Sequence, residues 1–577
     1  MFVKSSGKRL SALLALSLSV VMVLSVQFVW AQPGGYTGTA PGWGGPLTVS
    51  VAYADGVITT IEILDHSDTI GIGDVAFDII ARRIIDNQSL AVDHVSGATL
   101  SSFGVTLAVT AALTEAGADL AALRVPPPRP AVTRGPTENV DVVIVGSGFA
   151  GLMAAVELMT NYPDATFVLL EQMDIIGGQT ATTGGVIYSP TSPMHREHDL
   201  EFDVQVIVDL FEFQSREPVR EALIRNIFDL GDEIMQRLLD MGAVFGEPGS
   251  WGAGDYFINA FRHQGHGPGF ATFFHNFVGE NPFDLRTGSR ATGLLVNADG
   301  VVYGVSVLDR EHEYEIHAGA VLLATGGFGA NDDVQREFAP LYVGNHVPRI
   351  MPGATGDGIL FTRQFGTPVV GDGVIFGALR PSIHFGTVPA NFIVSTDGVR
   401  IANESYVLDV IEALDSGNVT AFRIGDYDLL GGRADLAARL EAGVLVQHDS
   451  LEDLAADRGI NAPALLETVA AFNAAIAAGD SPGFGLPVAA AAPVLTAPFF
   501  SERAATNHIG TIPGILVDDY KRVLDGAHNP VPGLYAAGEV MFGNLFTRIY
   551  PAGGTAISLT NFGGPFAIRT IMNDLGF

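Results

Sequence analysis

The chain has 577 residues, a formal net charge of −32 and no cysteine. Its length asks for about three domains. Its acidity argues against nucleic acid as a partner, since phosphate binding needs a basic face. The lack of cysteine excludes disulfides, thiolate nucleophiles, Cys-ligated iron–sulfur clusters and CxxCH haem attachment.

Hydrophobic residues make up 47% and charged residues 16%, a globular composition. The 69 glycines suit an α/β chain whose turns come close to a cofactor.

Residues 1–31 read as an export signal. Lys4, Lys8 and Arg9 precede an apolar run from Leu10 to Val29, and Val29-Trp-Ala31 offers a cleavage site before Gln32. An uncleaved membrane anchor is the alternative, because the run approaches spanning length. Either way the remainder is expected outside the cytoplasm, periplasmic or extracellular.

Residues 36–124 read as one small α+β unit. Leu47 to Ala54 and Val57 to Leu64 are strand-like runs joined by Asp55-Gly56, a hairpin signal. Asp74 to Ile85 and Phe103 to Glu115 carry helical apolar spacing. Residues 125–138, rich in proline, read as a stiff linker and domain boundary. Val140 to Val145 then predicts a buried parallel strand, Gly151 to Thr160 a helix, and Thr166 to Leu170 a second strand, together one βαβ unit.

Five glycine motifs follow in order. Gly146-Ser-Gly-Phe-Ala-Gly151 sits between a predicted strand and helix, with Glu171 at the end of the next strand. Glycines there let the backbone approach a pyrophosphate, the helix N-terminus offers free N–H groups, and Glu171 can accept from a ribose. The others are Ile176-Gly-Gly-Gln-Thr180 leading to Thr183-Gly-Gly185, Val321-Leu-Leu-Ala-Thr-Gly-Gly-Phe328, Gly353-Ala-Thr-Gly-Asp-Gly358, and Gly533-Leu-Tyr-Ala-Ala-Gly-Glu539. Each alone fits an ordinary turn, and their order is what discriminates.

In that order, residues 139 to about 572 resemble the FAD domain of the fumarate reductase and succinate dehydrogenase flavoproteins, near soluble fumarate and urocanate reductases, with features of 3-ketosteroid Δ1-dehydrogenases. The resemblance implies a Rossmann-type FAD-binding domain at 139–374 and 498–577, with an α+β capping domain inserted at 375–497. It implies FAD contacts at Gly146, Gly148, Ala150, Gly151, Glu171, Gly178, Gln179, Thr180, Gly185, Thr325, Gly326, Asp357, Glu539, Ala556 and Ile557.

Asp93-His-Val-Ser-Gly-Ala-Thr99 resembles the flavinylation signal of FMN-binding domains. That makes Thr99 the covalent FMN attachment site within Ser96, Gly97 and Ala98, and implies a flavin transferase for maturation. The bland alternative is a plain turn before a helix.

The combined resemblance implies electrons passing from a membrane or extracytoplasmic donor through FMN to FAD. Hydride then passes to an alkene conjugated to a carbonyl or carboxylate, and a protein acid protonates the neighbouring carbon.

The chain departs from the fumarate reductases where the acid and anion clamps are expected. Leu408 takes the place of the proton-delivering arginine, Pro551 that of a substrate arginine, and Arg380 that of a capping-domain histidine. Arg548-Ile-Tyr-Pro-Ala-Gly-Gly554 instead resembles the ketosteroid dehydrogenase segment whose tyrosine polarises a carbonyl. Catalytic candidates are thus Tyr550, Tyr406, His508, Arg548 and Arg380, with His263 and His266 on a glycine-rich loop as lesser ones. Packing between domains is the alternative for Tyr406, and backbone bonding for the histidines. No cluster shows metal-ligand spacing. Oxidation of a CH–CH bond in a ketosteroid-like substrate, and electron carriage without turnover, stand as alternative functions.

Overall fold

The computed structural model describes residues 35–577 apart from 130, 254–255, 341–342, 344–349, 381–391, 405–408, 411–412, 415–418, 427–435, 442 and 444; side chains at 253, 376–380, 438, 490 and 505–507 are likewise left out. The expected signal segment, Tyr406, Leu408 and the side chain of Arg380 therefore lie outside the description. Among the described residues no helix is long and apolar enough to cross a membrane.

The N-terminal unit is a three-stranded antiparallel sheet, β1 (Gly35–Pro41), β2 (Pro46–Ala54) and β3 (Val57–Asp65), covered by α1 (Gly73–Asn87) and α2 (Thr99–Glu115). Asp55 and Gly56 both take positive φ, 53° and 82°, as a tight hairpin with right-twisted strands requires. Leu47, Val49 and Val51 alternate into the core against Phe77, Ile80, Val105 and Val109. Strand β1 carries no alternation strong enough to read from sequence. Helix α2 begins four residues before the expected Phe103, so Thr99 opens its first turn with an exposed side chain.

The large domain is built on a nine-stranded sheet. Its parallel part runs Leu285–Arg286, Phe167–Leu170, Glu138–Val145, His312–Leu323 and Pro530–Ala536; an antiparallel meander, Val302–Leu308 and Arg290–Val296, extends one side. Val142 to Val145 are buried on both faces, which is why they read as one apolar run instead of alternating. Helix α3 (Phe149–Asn161) packs against the C-terminal helix Thr555–Leu575 so closely that a methyl on Gly564 would lie 2.1 Å from the Ala150 carbonyl oxygen. The end of the proline-rich stretch is part of this sheet: Thr133–Arg134 pairs with His312–Leu323, and Glu138 opens a strand.

The inserted unit has a five-stranded sheet in the order Val374–Arg380, Phe499–Thr511, Ala421–Gly425 and Phe392–Ser395, with Val446–His448 added beside Phe499–Thr511. Helices Leu451–Arg458 and Ala462–Ala478 cover it around Phe392, Ile424, Leu465 and Phe472. The sheet thus runs past residue 497. Phe499–Thr511 is one long strand that starts in the cap and ends at the large domain, where Thr511 meets Glu539.

Candidate functional site

The glycine motifs converge on one cleft. At the end of Glu138–Val145 the chain turns at Gly146, whose φ is +107° and where a methyl would lie 2.4 Å from the Ala324 carbonyl oxygen. Gly148 leads into α3 with open space over its Cα, so the first-turn N–H groups face the cleft at the positive end of the helix. Of the residues implied as FAD contacts, Gly146, Gly148, Glu171, Gly178, Gln179, Thr325, Gly326, Asp357 and Glu539 line it, joined by Arg290 and Met351. Thr325 Oγ1 is buried there without a hydrogen-bond partner among the described residues, a polar atom awaiting a ligand.

The remaining candidates stand around the cleft. Ala150 and Gly151 are buried in the first turn of α3, Gly151 against the Gly146 carbonyl. Thr180 faces Phe149 and Phe270 just beside it, and Gly185 abuts His266. Ala556 and Ile557 open the C-terminal helix.

Electrostatics differ along the cleft. Burial holds the Glu171 carboxyl above the usual range, opposed by hydrogen bonds from Ser147 and from the Met173 N–H. Glu539 is half-buried at the cleft wall, and loss of solvation pushes its carboxyl up to about 7, although Thr511 donates to it through N at 2.7 Å and Oγ1 at 3.0 Å. Asp357 is paired with Arg290 at 2.8 Å.

The Ser96–Thr99 loop docks on the wall of this same cleft. Gly97 has φ +91°, and a methyl there would lie 2.7 Å from Ile175 Cδ1 and 3.0 Å from Met351 Cε. Met351 also lines the cleft, and its N–H donates to Gln179 Oε1 at 2.9 Å. Asp174 ties the two sides by accepting from Arg83 at 3.0 Å, Arg310 at 3.1 Å and the Ser96 N–H at 3.3 Å. The small domain's core therefore includes Met173, Ile175 and Met351 of the large one.

Tyr550 is half-buried, and its hydroxyl accepts the Ala556 N–H at 2.7 Å; burial pushes the phenol well above its ordinary value. His508 is fully buried, with Cε1 within 3.3 Å of where a Gly329 methyl would sit. Arg548 is exposed and engaged with Asp372 at 3.6 Å. His263 is buried, stacked on Phe270 at 4.1 Å and held neutral by burial, whereas His266 is exposed at a positive φ of 61°. The His263 backbone N–H donates to the Gly185 carbonyl at 2.8 Å, and the His266 backbone lies against Gly185.

Comparison with known families decides the assignment. The model of the FAD binding domain matches residues 141–557, and that of the FMN-binding domain matches residues 42–114. The chain belongs to the FAD binding domain family.

Similar curated proteins of this flavin-dependent oxidoreductase family include a urocanate reductase of Eggerthella lenta, 27% identical over 87% of each chain. An NADH:acrylate oxidoreductase of Vibrio harveyi is 27% identical over 88% of this chain and 58% of its own; the chain thus spans little more than half of that relative's length. Among solved structures, the open conformation of a flavocytochrome c3 fumarate reductase shares the fold with a TM-score of 0.63 and 24% identity, covering 77% of this chain and 80% of the other. A 3-ketosteroid-Δ4-(5α)-dehydrogenase of Rhodococcus jostii RHA1 shares it with a TM-score of 0.62 and 22% identity, covering 77% and 99%.

The cofactors of this FAD binding domain protein are FAD and FMN. The observed cleft fits the first: a helix N-terminus, an open Gly148 and the buried Thr325 hydroxyl are what a pyrophosphate and its nucleotide need. Sequence reasoning missed Arg290, Met351 and Asp174, because each acts across a seam between distant segments and none sits in a glycine motif. Met351, two residues before Gly353, was the nearest to a readable signal.

Proposed function

We propose that this chain is an exported reductase of a carbon–carbon double bond conjugated to a carbonyl or carboxylate, with electrons entering through FMN carried covalently on Thr99. The observation that carries this reading is the docking of the Ser96–Thr99 loop on Ile175 and on Met351, the latter a residue of the FAD cleft wall. An added flavin placed there is useful for electron entry. The reductase names of the similar proteins support the same direction.

When bound, FAD would supply hydride chemistry in this cleft and FMN the electrons to sustain it. The chain's own residues bind, orient and move protons. Gly146, Gly148 and the first turn of α3 would hold the phosphates, and Gln179 is fixed by the Met351 N–H. Tyr550 receives the Ala556 N–H on its oxygen, which leaves its own proton free to donate toward a substrate carbonyl; burial keeps the phenol protonated at neutral pH. Maturation calls for a flavin transferase, and the donor lies on the membrane or outside the cytoplasm, in keeping with the signal pattern at residues 1–31.

The Tyr550 segment also favours a second reading, oxidation of a CH–CH bond in a ketosteroid-like substrate, which is the same transfer reversed. One experiment separates these. Chemically reduced holoenzyme is mixed anaerobically with fumarate, urocanate, an aryl acrylate and an enone, and flavin reoxidation is followed. Rapid reoxidation by one class supports the reductase. Reoxidation by none, with bleaching of oxidised enzyme by a ketosteroid, overturns it. Tyr550→Phe should lower the hydride-transfer rate about 10²-fold or more; an unchanged rate removes Tyr550 from the chemistry.

A further inference from the structure

We infer that Trp251 and Arg262 form the substrate-recognition wall beside the Tyr550 segment, and that together they select a planar aryl group carrying a conjugated carboxylate. The inference rests on the reductase reading above and names its substrate class.

A three-stranded sheet, Val186–Ile187, Tyr256–Arg262 and Gly249–Ala253, abuts the loop that leads from Tyr550 into the C-terminal helix. A methyl on Gly554 would lie 3.0 Å from Val186 Cγ1, and one on Gly553 would lie 2.7 Å from Trp251 Cδ1 and 2.9 Å from its Nε1. Only glycines let the indole come this close, so its ring is pressed on the backbone three residues from Tyr550. Arg262 sits opposite Val186 in the sheet register, which places it at the same edge. Its guanidinium carbon stands 5.8 Å from the Trp251 ring centroid.

Arg262 is exposed, and no carboxylate among the described residues forms an ion pair with it. By contrast, Arg548 pairs with Asp372 and Arg290 with Asp357. In a chain of net charge −32, an arginine left to an indole face is placed for an anion from outside. Its planar fork matches a carboxylate, and the indole offers a flat apolar surface for an aromatic ring. A short dicarboxylate would need a second cation, whereas an aryl acrylate needs one cation and one apolar face.

The test uses FAD-loaded, full-length protein with two readouts. In the first, oxidised holoenzyme is titrated with 3-phenylpropanoate and with its methyl ester, following the flavin absorbance. Arg262→Gln should raise the Kd of the acid at least tenfold while leaving that of the ester unchanged, and Arg262→Lys should recover part of the loss. In the second, reoxidation of reduced enzyme by 3-phenylacrylate and by acrylate is compared in one preparation, normalised to bound FAD. Trp251→Leu should lower the aryl-to-acrylate ratio of kcat/KM at least tenfold, a ratio that misfolding would not move. An acid-to-ester Kd ratio unaffected by Arg262→Gln, or wild-type preference for acrylate or fumarate, would overturn the inference and leave the reductase standing. Failure of every alkene to reoxidise the flavin would instead bring down the reductase reading on which it rests.

Discussion

Replacing Gly97 with alanine probes the seam between the two flavin-binding domains. Two costs arise. An L-residue held at φ +91° loses roughly 1–2 kcal/mol relative to glycine. The new methyl would sit 2.7 Å from Ile175 Cδ1 and 3.0 Å from Met351 Cε, and overpacking of this kind costs about 1–3 kcal/mol. Both clashing atoms are the far ends of flexible side chains, so the contact gives way more easily than the backbone, and a loss of about 2–3 kcal/mol is expected. The Ser96–Thr99 loop should then stand off from Met351 and the cleft wall. Urea unfolding reads the stability; stopped-flow reduction of FAD by an electron donor acting through FMN, compared with direct reduction by dithionite, reads the path. The donor-driven rate should fall several-fold while the direct rate holds. An unchanged urea midpoint together with an unchanged donor-driven rate would show that the loop does not rely on this contact.

Thr99→Ala should abolish the FMN adduct, read by mass spectrometry after denaturation of protein made with a flavin transferase, while FAD content stays the same; an adduct surviving the change would move the attachment elsewhere. Lys521 is fully buried, its Nζ 3.5 Å from Met541 Sδ, and burial lowers its amine to about 7. Above about pH 10.5 the amine is neutral in both states; as pH falls, the unfolded chain takes the proton first, so stability is lost down to about pH 7 and levels off below. Lys521→Met should therefore stabilise the protein at neutral pH by up to about 5 kcal/mol, with a gain in Tm that vanishes above pH 10.5 in calorimetry. A gain independent of pH would mean that the amine is not neutral in the fold.

Much of the architecture was legible because local patterns and tertiary roles coincide. The Asp55-Gly56 hairpin, the α3 turn at Gly146 to Gly151 and the apolar run Val142 to Val145 each carry their own geometric demand, so residue type and position agree. The start of α2 at Thr99 was missed because its first turn, Thr99-Leu-Ser-Ser, lacks an apolar period; Ser102 instead bonds back to the Ala98 carbonyl and to the Val95 N–H. Trp251, Arg262 and Asp174 were hidden for another reason. Their partners lie 78 to 302 positions away along the chain or on a neighbouring strand, and nothing in their local sequence announces such meetings.

The shared core has a consequence for inheritance. Met173, Ile175 and Met351 fill the interior of a module to which they do not belong by sequence. A genetic cut in the proline-rich stretch would leave the small module missing three apolar plugs and the large one baring them to water. Recombination that swaps one module for a distant cousin would have to bring a matching set of plugs, so the two are bound to travel and drift as a couple.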